Sequence, residues 1–231
     1  MKNIYEDGAY FKNNPSWDEE DSPWKAKQIK KIIDKNQIHL STICEVGCGA
    51  GEILNQLSDR FGEGKKYFGY EISPQAFALC SKKEKNNLCF FLEDLLEKDD
   101  KYFDIVMAID VLEHVDDYIG FLRRLKTKGK YKIFHIPLDL SVQTVLRCVP
   151  IAYVRRKGGH LHYFTKETAL ATLEYAGYEI IDFFYTASRA DLPNRGWKAN
   201  LLKIPRILLF SFNSDLAVRV LGGFSLLVLA K

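Results

Sequence analysis

Short apolar runs alternate along this chain with stretches whose apolar residues recur at helical spacing. The runs are Leu40 to Val46, Lys66 to Glu71, Leu88 to Leu92, Tyr102 to Ile109, Lys130 to Ile136, Tyr178 to Thr186 and Gly223 to Ala230. Each has strand length, and β-branched or aromatic residues recur among them. Between them, Ile29, Ile32 and Ile33 share one helical face, as do Tyr118, Phe121, Leu122 and Leu125 within Asp116 to Lys126. Ser22 reads as an N-cap with Pro23 at the first helical position. Thr165 reads as the cap of a helix over Lys166 to Tyr175, which Gly177 ends. Pro74 opens a helix to about Lys83, and Leu201 to Phe212 is a strongly apolar helix broken or started near Pro205. Strands alternating with helices predict an α/β domain. The fully apolar run Leu88 to Leu92 predicts a strand covered on both faces.

Composition sets the bounds. The chain has 231 residues, 47% of them hydrophobic, enough for one α/β domain with a full core. Net charge is +3 with acids and bases nearly balanced, so no nucleic-acid partner is expected. Cys44, Cys48, Cys80, Cys89 and Cys148 are odd in number and lack paired metal spacing, which reads as reduced thiols in a cytoplasmic protein. The first residues carry no apolar signal-peptide core, and no apolar run reaches the ~18 residues of a spanning helix. Residues 1–24 hold Tyr10, Phe11, Trp17 and Trp24, which cap the core or form a lid. Residues 1–38 are therefore read as an N-terminal helical and aromatic segment, and residues 39–231 as the main domain.

The chemistry concentrates where the first strand meets Gly47-Cys48-Gly49-Ala50-Gly51 and a helix-forming run follows. Glycines let the backbone turn tightly and let a ligand lie against it. The helix start presents N–H groups and a positive dipole end. The spacing is G-x-G-x-G, not the dinucleotide G-x-G-x-x-G. Glu45, two residues upstream, would repel a pyrophosphate but could bind an ammonium. A purely structural turn is the alternative. Glu71 ends the second strand about 20 residues beyond Gly51, where an acid accepts from ribose hydroxyls.

Glu45 to Gly51 resembles the first motif, E/D-x-G-x-G-x-G, of class I S-adenosylmethionine (SAM)-dependent methyltransferases. Asp110-Val111-Leu112-Glu113-His114 resembles the D-V-L-E-H motif after their fourth strand. The resemblance runs from about Leu40 to Lys231 and points to small-molecule enzymes, including the ubiquinone-biosynthesis O-methyltransferase-like group. It implies a doubly wound, Rossmann-like, seven-stranded sheet, mostly parallel, with the last strand antiparallel beside the fifth. It implies SAM as cofactor, leaving S-adenosylhomocysteine (SAH), with Glu45, Gly47, Cys48, Gly49, Gly51, Glu71, Ile72, Asp94, Leu95, Asp110 and Leu112 around it. In this family the acid after the third strand bonds the adenine amine; Asp94 matches better than Glu93. Asp110 would line the methionine end. The stretch from Trp17 to Ala26 is similar to family segments that close over the cofactor, which makes Tyr10, Trp17 and Trp24 lid residues.

The acceptor side is less specific. His114, His135 and His160 are candidate bases, since imidazole titrates near neutral pH. His160-Leu161-His162-Tyr163-Phe164-Thr165 is similar to a string in small-molecule relatives, and places His162 and Tyr163 near the substrate. His160 and His162 alternate, so at most one faces the pocket, and no supporting acid or cysteine spacing points to a metal. Leu138 to Val154, inside an insert over 138–165, is apolar and flanked by Arg147, Arg155, Arg156 and Lys157. It reads as a cap on the substrate pocket, or as a patch on residues 138–157 touching a membrane or an acyl chain. The expected activity is methyl transfer to a small molecule, most simply at a hydroxyl of a sugar, quinone or lipid-linked precursor. A non-catalytic SAM- or partner-binding module and an NAD-dependent oxidoreductase are the rivals. Aminopropyl transfer lacks its aspartate-rich acceptor site, and a protein acceptor stays open.

Overall fold

The computed structural model describes residues 14, 16–17, 19–187, 191–192 and 203–231. Tyr10, Phe11 and most of the polar stretch Arg189 to Ala199 lie outside these residues.

Seven strands form one sheet in the order β3-β2-β1-β4-β5-β7-β6. They are β1 (Thr42–Val46), β2 (Lys66–Glu71), β3 (Leu88–Leu92), β4 (Phe103–Ile109), β5 (Gly129–Pro137), β6 (Ile180–Thr186) and β7 (Ser225–Ala230). All neighbouring pairs from β3 to β5 are parallel, and β7 lies antiparallel to both β5 and β6. The chain winds outward from β1 to β3, then returns to place β4 on the other side of β1. The strand order thus reverses between β1 and β4, and open α/β sheets bind ligands at the carboxyl ends beside such a point.

The helices are α1 (Ser22–Lys35), α2 (Glu52–Phe61), α3 (Pro74–Cys80), α4 (Tyr118–Lys126), α5 (Val142–Arg147), α6 (Val149–Tyr153), α7 (Lys166–Tyr175), α8 (Lys203–Phe212) and α9 (Ser214–Leu221). Two apolar clusters sandwich the sheet. One takes Ala26, Ile29, Ile32 and Ile33 from α1 with Leu54 and Leu57 from α2. The other takes Phe121, Leu122 and Leu125 from α4 with Ala169 and Leu173 from α7. The apolar spacing read from the sequence therefore turns these faces inward. Thr165 caps α7 through a reciprocal bond with Thr168.

Several expectations need correction. β3 is an edge strand rather than an inner one, and Leu92 is 44% exposed. Leu88 and Phe90 are buried on one face, and Phe91, half-buried, packs against the other core cluster and stacks on Tyr70. Ser22 is the first residue of α1, not its cap; Asp21 precedes it, at the end of a 3-10 turn, and makes no side-chain cap bond. The insert after β5 is two short helices broken at Cys148, where φ is +55°, and a π turn over Val154–Gly158. α9 was not anticipated; Asn213 caps it by accepting from the Leu216 amide. All five cysteines are free, and no helix among the described residues is long and apolar enough to cross a membrane.

Candidate functional site

The turn after β1 is built by packing from below. Gly51 has φ +75°, and a Cβ there would fall 2.6 Å from the Phe90 ring and 2.7 Å from Cys80. A Cβ on Gly47 would fall 2.9 Å from Val111. Only glycine satisfies both the left-handed backbone and the space. Gly47 and Cys48 donate their amides to the Tyr70 carbonyl at 2.8 and 3.2 Å, which ties the turn to the end of β2.

Glu71 completes the tie. Its Oε2 accepts from the Gly49 amide at 2.8 Å, and its Oε1 from the Ile72 and Ser73 amides at 2.9 and 2.8 Å. Burial raises its pKa and the three amides oppose that rise. The acid at the end of β2 thus holds the glycine turn as well as facing it. Glu45 is 1% exposed and its Oε2 has no hydrogen-bond partner. Burial pushes its carboxyl well up, with Lys25 opposing and Glu71 and Asp110 adding to it. An unpaired buried acceptor is costly, and a cationic group is what would satisfy it.

The carboxyl end of β4 carries a second charged knot. Asp110 sits at φ +54°, accepts from His135 Nδ1 at 2.5 Å, and pairs with Lys25 of α1 at 2.7 Å. Burial opposes its ionisation, but His135 and Lys25 outweigh that and hold its carboxyl well below the usual range. His135 Nε2 meets Thr186 Oγ1 at 2.9 Å, so both ring nitrogens are engaged inside the protein.

Beside this knot stand Glu113, His114 and His160. Glu113 is 1% exposed, neither carboxylate oxygen has a hydrogen-bond partner, and burial raises its pKa well above normal. Its backbone carbonyl accepts from the Leu161 and His162 amides, which fastens the His160–Thr165 segment over β4. The His114 and His160 rings meet edge to face at 4.9 Å. Burial, with His160 adding to it, lowers His114 to about 4. His160 Nδ1 lies 2.7 Å from Asp139 Oδ2, just past the end of β5. One carboxylate oxygen and two imidazole nitrogens of Glu113, His114 and His160 lie within 4.8 Å of one another, a donor set that suits a divalent cation. The expectation of no metal rested on the His160/His162 pair and did not weigh Glu113.

The predicted residues divide clearly. Glu45, Gly47, Gly49, Gly51, Glu71 and Asp110 gather at the carboxyl ends of β1, β2 and β4, with Ile72 exposed at the end of β2. A Cβ on Gly49 would lie 3.7 Å from the Trp17 ring, so Trp17 does stand over the turn. Asp94 Oδ1 is engaged in capping the Leu95–Glu97 turn through the Leu96 amide. Other side chains point elsewhere. Leu95 and Leu112 are buried in the core, and Cys48 packs beneath the turn beside Gly69. Trp24 donates to Asp191 and packs on His135. His162 bonds the Val115 carbonyl and packs on Tyr118, opposite in direction to His160. Tyr163 donates to the His160 carbonyl.

Sequence reasoning missed Lys25, Glu113, Asp139 and Thr186. Glu113 lay inside a recognised motif, and Asp139 follows a strand end as Asp110 does. Lys25 had no signal, being one lysine among several on α1.

Residues 20–182 match the family described as a methyltransferase domain. The ubiquinone biosynthesis O-methyltransferase of Dictyostelium discoideum mitochondria is 25% identical over 158 residues, covering 55% of this chain and 49% of that protein. Its namesake from Idiomarina loihiensis is 28% identical over 134 residues, covering 52% of this chain and 53% of that one. The chain thus spans about half the length of these relatives. Among solved structures, magnesium protoporphyrin IX methyltransferase from Synechocystis, with bound SAH, superposes at TM-score 0.59. That match has 16% identity over 90% of this chain and 82% of the other.

Proposed function

The chain belongs to the methyltransferase-domain family, with the class I SAM-dependent fold, and on that premise we propose that it methylates a hydroxyl of a small-molecule acceptor. The observation that carries the reading is Glu45 Oε2, buried and without a partner beside the glycine turn. SAM, when bound, supplies an electrophilic methyl group on a sulfonium, open to in-line displacement. Glu45 would receive the cationic amino end. The backbone from Gly47 to Gly51 would let the cofactor lie against it, and Glu71, which holds that backbone, would offer its oxygens to the ribose. Ile72 would give the base an apolar contact, and the second Asp94 oxygen would receive its amine. Trp17, near Gly49, would shield the turn from water and so strengthen the charge interactions beneath it.

For the acceptor, His160 is the base. Asp139 holds Nδ1, so Nε2 is left to take the hydroxyl proton. His114, kept neutral by burial, packs against the His160 ring and fixes it. The names of the two curated relatives favour an oxygen acceptor. Incubating the protein with methyl-labelled SAM and a panel of phenols, sugars and carboxylic acids tests this. Label should pass to a phenolic or sugar hydroxyl and fall to background in His160→Ala. Transfer only to amines, or full transfer by His160→Ala, would refute the assignment.

A second reading rests on the donor set itself. Glu113, His114 and His160 would hold a divalent cation, whose contribution would be to lower the pKa of the acceptor hydroxyl. Loss of turnover on chelation, restored by added metal, would support it; turnover indifferent to chelator would exclude it.

A further inference from the structure

Two helical segments leave an apolar side in solvent. Val142, Val145 and Leu146 follow helical spacing in α5, as do Val149 and Tyr153 in α6, yet they are 52%, 52%, 79%, 69% and 64% exposed. In α8, Ile204, Ile207, Leu208 and Phe212 do the same, at 60%, 46%, 65% and 88%. On α1 the same spacing leaves Ile29, Ile32 and Ile33 fully inside. α8 does have an inward side: Phe210 stacks on Phe224 at 5.1 Å. Its exposed apolar stripe is therefore additional to its core contacts. Exposed apolar faces of this extent mark an interaction surface.

The two stripes belong together. Gln143 of α5 and Arg206 of α8 both donate to the Leu221 carbonyl at the end of α9. Their charge is also one-sided. Residues 142–158 contain Arg147, Arg155, Arg156 and Lys157 and no acid, and residues 203–212 contain Lys203 and Arg206 and no acid. For the chain as a whole, 33 bases face 30 acids, so the bias is local. Apolar side chains beside cations alone match a surface that is itself apolar within and anionic at its rim. That is an anionic bilayer.

We propose that α5, α6 and α8 dock this protein on an anionic lipid surface, apolar stripes in the headgroup–acyl boundary and basic residues at the phosphates. The segment leads directly to the site: Arg155 donates to the His160 and Leu161 carbonyls at 3.3 Å. The docking face would thus sit next to the residues assigned to the acceptor, although the proposal stands without any assignment of the reaction.

The test is vesicle flotation of the full chain with phosphatidylcholine alone and with phosphatidylcholine–phosphatidylglycerol mixtures. The protein should float with the mixed vesicles only, and less as salt rises. A Leu146→Glu/Phe212→Glu variant changes only outward positions. It should keep the wild-type thermal midpoint and lose about tenfold or more in vesicle partitioning. Arg147→Glu/Arg156→Glu should reduce partitioning to the mixed vesicles. No flotation of the wild type overturns the proposal, as does equal binding to neutral and anionic vesicles. A dimer in light scattering that Leu146→Glu/Phe212→Glu dissolves, without flotation, also overturns it and makes the face a contact between copies.

Discussion

Asp139 Oδ2 and His160 Nδ1 lie 2.7 Å apart, with their side chains only 19% and 15% exposed. The acid comes from the end of β5 and the imidazole from the segment fastened over Glu113. The pair fixes both the tautomer and the direction of the ring. Asp139→Asn keeps the shape but can donate where the acid only accepts. Turnover should fall about 10- to 100-fold while SAH affinity stays at the wild-type value. A parallel loss of both would show that Asp139 merely supports the fold.

Lys25 is the cation that brings α1 to the site. Methionine there keeps the length and removes the charge, leaving Asp110 with His135 as its remaining side-chain partner among the described contacts. Both side chains are partly accessible, so the cost should be about 1–3 kcal/mol rather than the larger value of a fully buried pair. Urea unfolding of Lys25→Met measures it. An unchanged midpoint would mean that solvent satisfies Asp110.

Two glycines with the same backbone sign separate packing from strain. Gly51 has φ +75° with Phe90 and Cys80 pressed against it, and Gly62 has φ +72° with nothing within 4 Å. Gly62→Ala should cost about 1–3 kcal/mol from strain alone, because φ +72° with ψ −168° is open essentially to glycine. Gly51→Ala should cost about 2–4 kcal/mol, because the clash adds to a left-handed backbone. A loss of about 1 kcal/mol or less for Gly51→Ala would contradict the tight packing under the turn.

Glu45 gives the pH dependence a sign. Its carboxyl is raised by burial, with Glu71, Asp110 and Cys80 adding and Lys25 opposing. A raised folded value means that the native state holds the proton longer than the unfolded chain. Stability should therefore be full below about pH 4.3 for this group and fall as pH rises through the raised value. Glu45→Gln should flatten that fall in thermal midpoints. A cation at Glu45 favours the ionised form, so SAH affinity should tighten over the same rise in pH. Identical pH profiles for wild type and Glu45→Gln would remove Glu45 from both roles.

The seven strands, the glycine turn and the acid at the end of β2 were legible in the chain as local pattern: apolar runs, glycine spacing, a carboxylate at a strand end. The antiparallel β7 beside β5 followed from the family resemblance, since no local pattern sets strand order. The edge position of β3 was not legible, because Leu88 to Leu92 is as apolar as an inner strand while Leu92 faces out. The acceptor side was only half legible. His160 and His162 were expected to diverge, and do, but which partner each meets depends on contacts across 21 and 47 residues, with Asp139 and Val115. Lys25 meets Asp110 across a still longer span. His135 illustrates the same limit: it stands at a strand end as a base would, yet Asp110 and Thr186 engage both its nitrogens.

The central claim is that the carboxyl ends of β1 and β2 hold SAM through Glu45 and the turn clamped by Glu71. Calorimetric titration of the wild type and Glu45→Gln with SAH, with NAD as the control ligand, tests it most directly. The account predicts micromolar SAH binding by the wild type, an affinity at least about tenfold weaker in Glu45→Gln, and no heat from NAD. NAD binding, or SAH binding that ignores the loss of Glu45's charge, would contradict it.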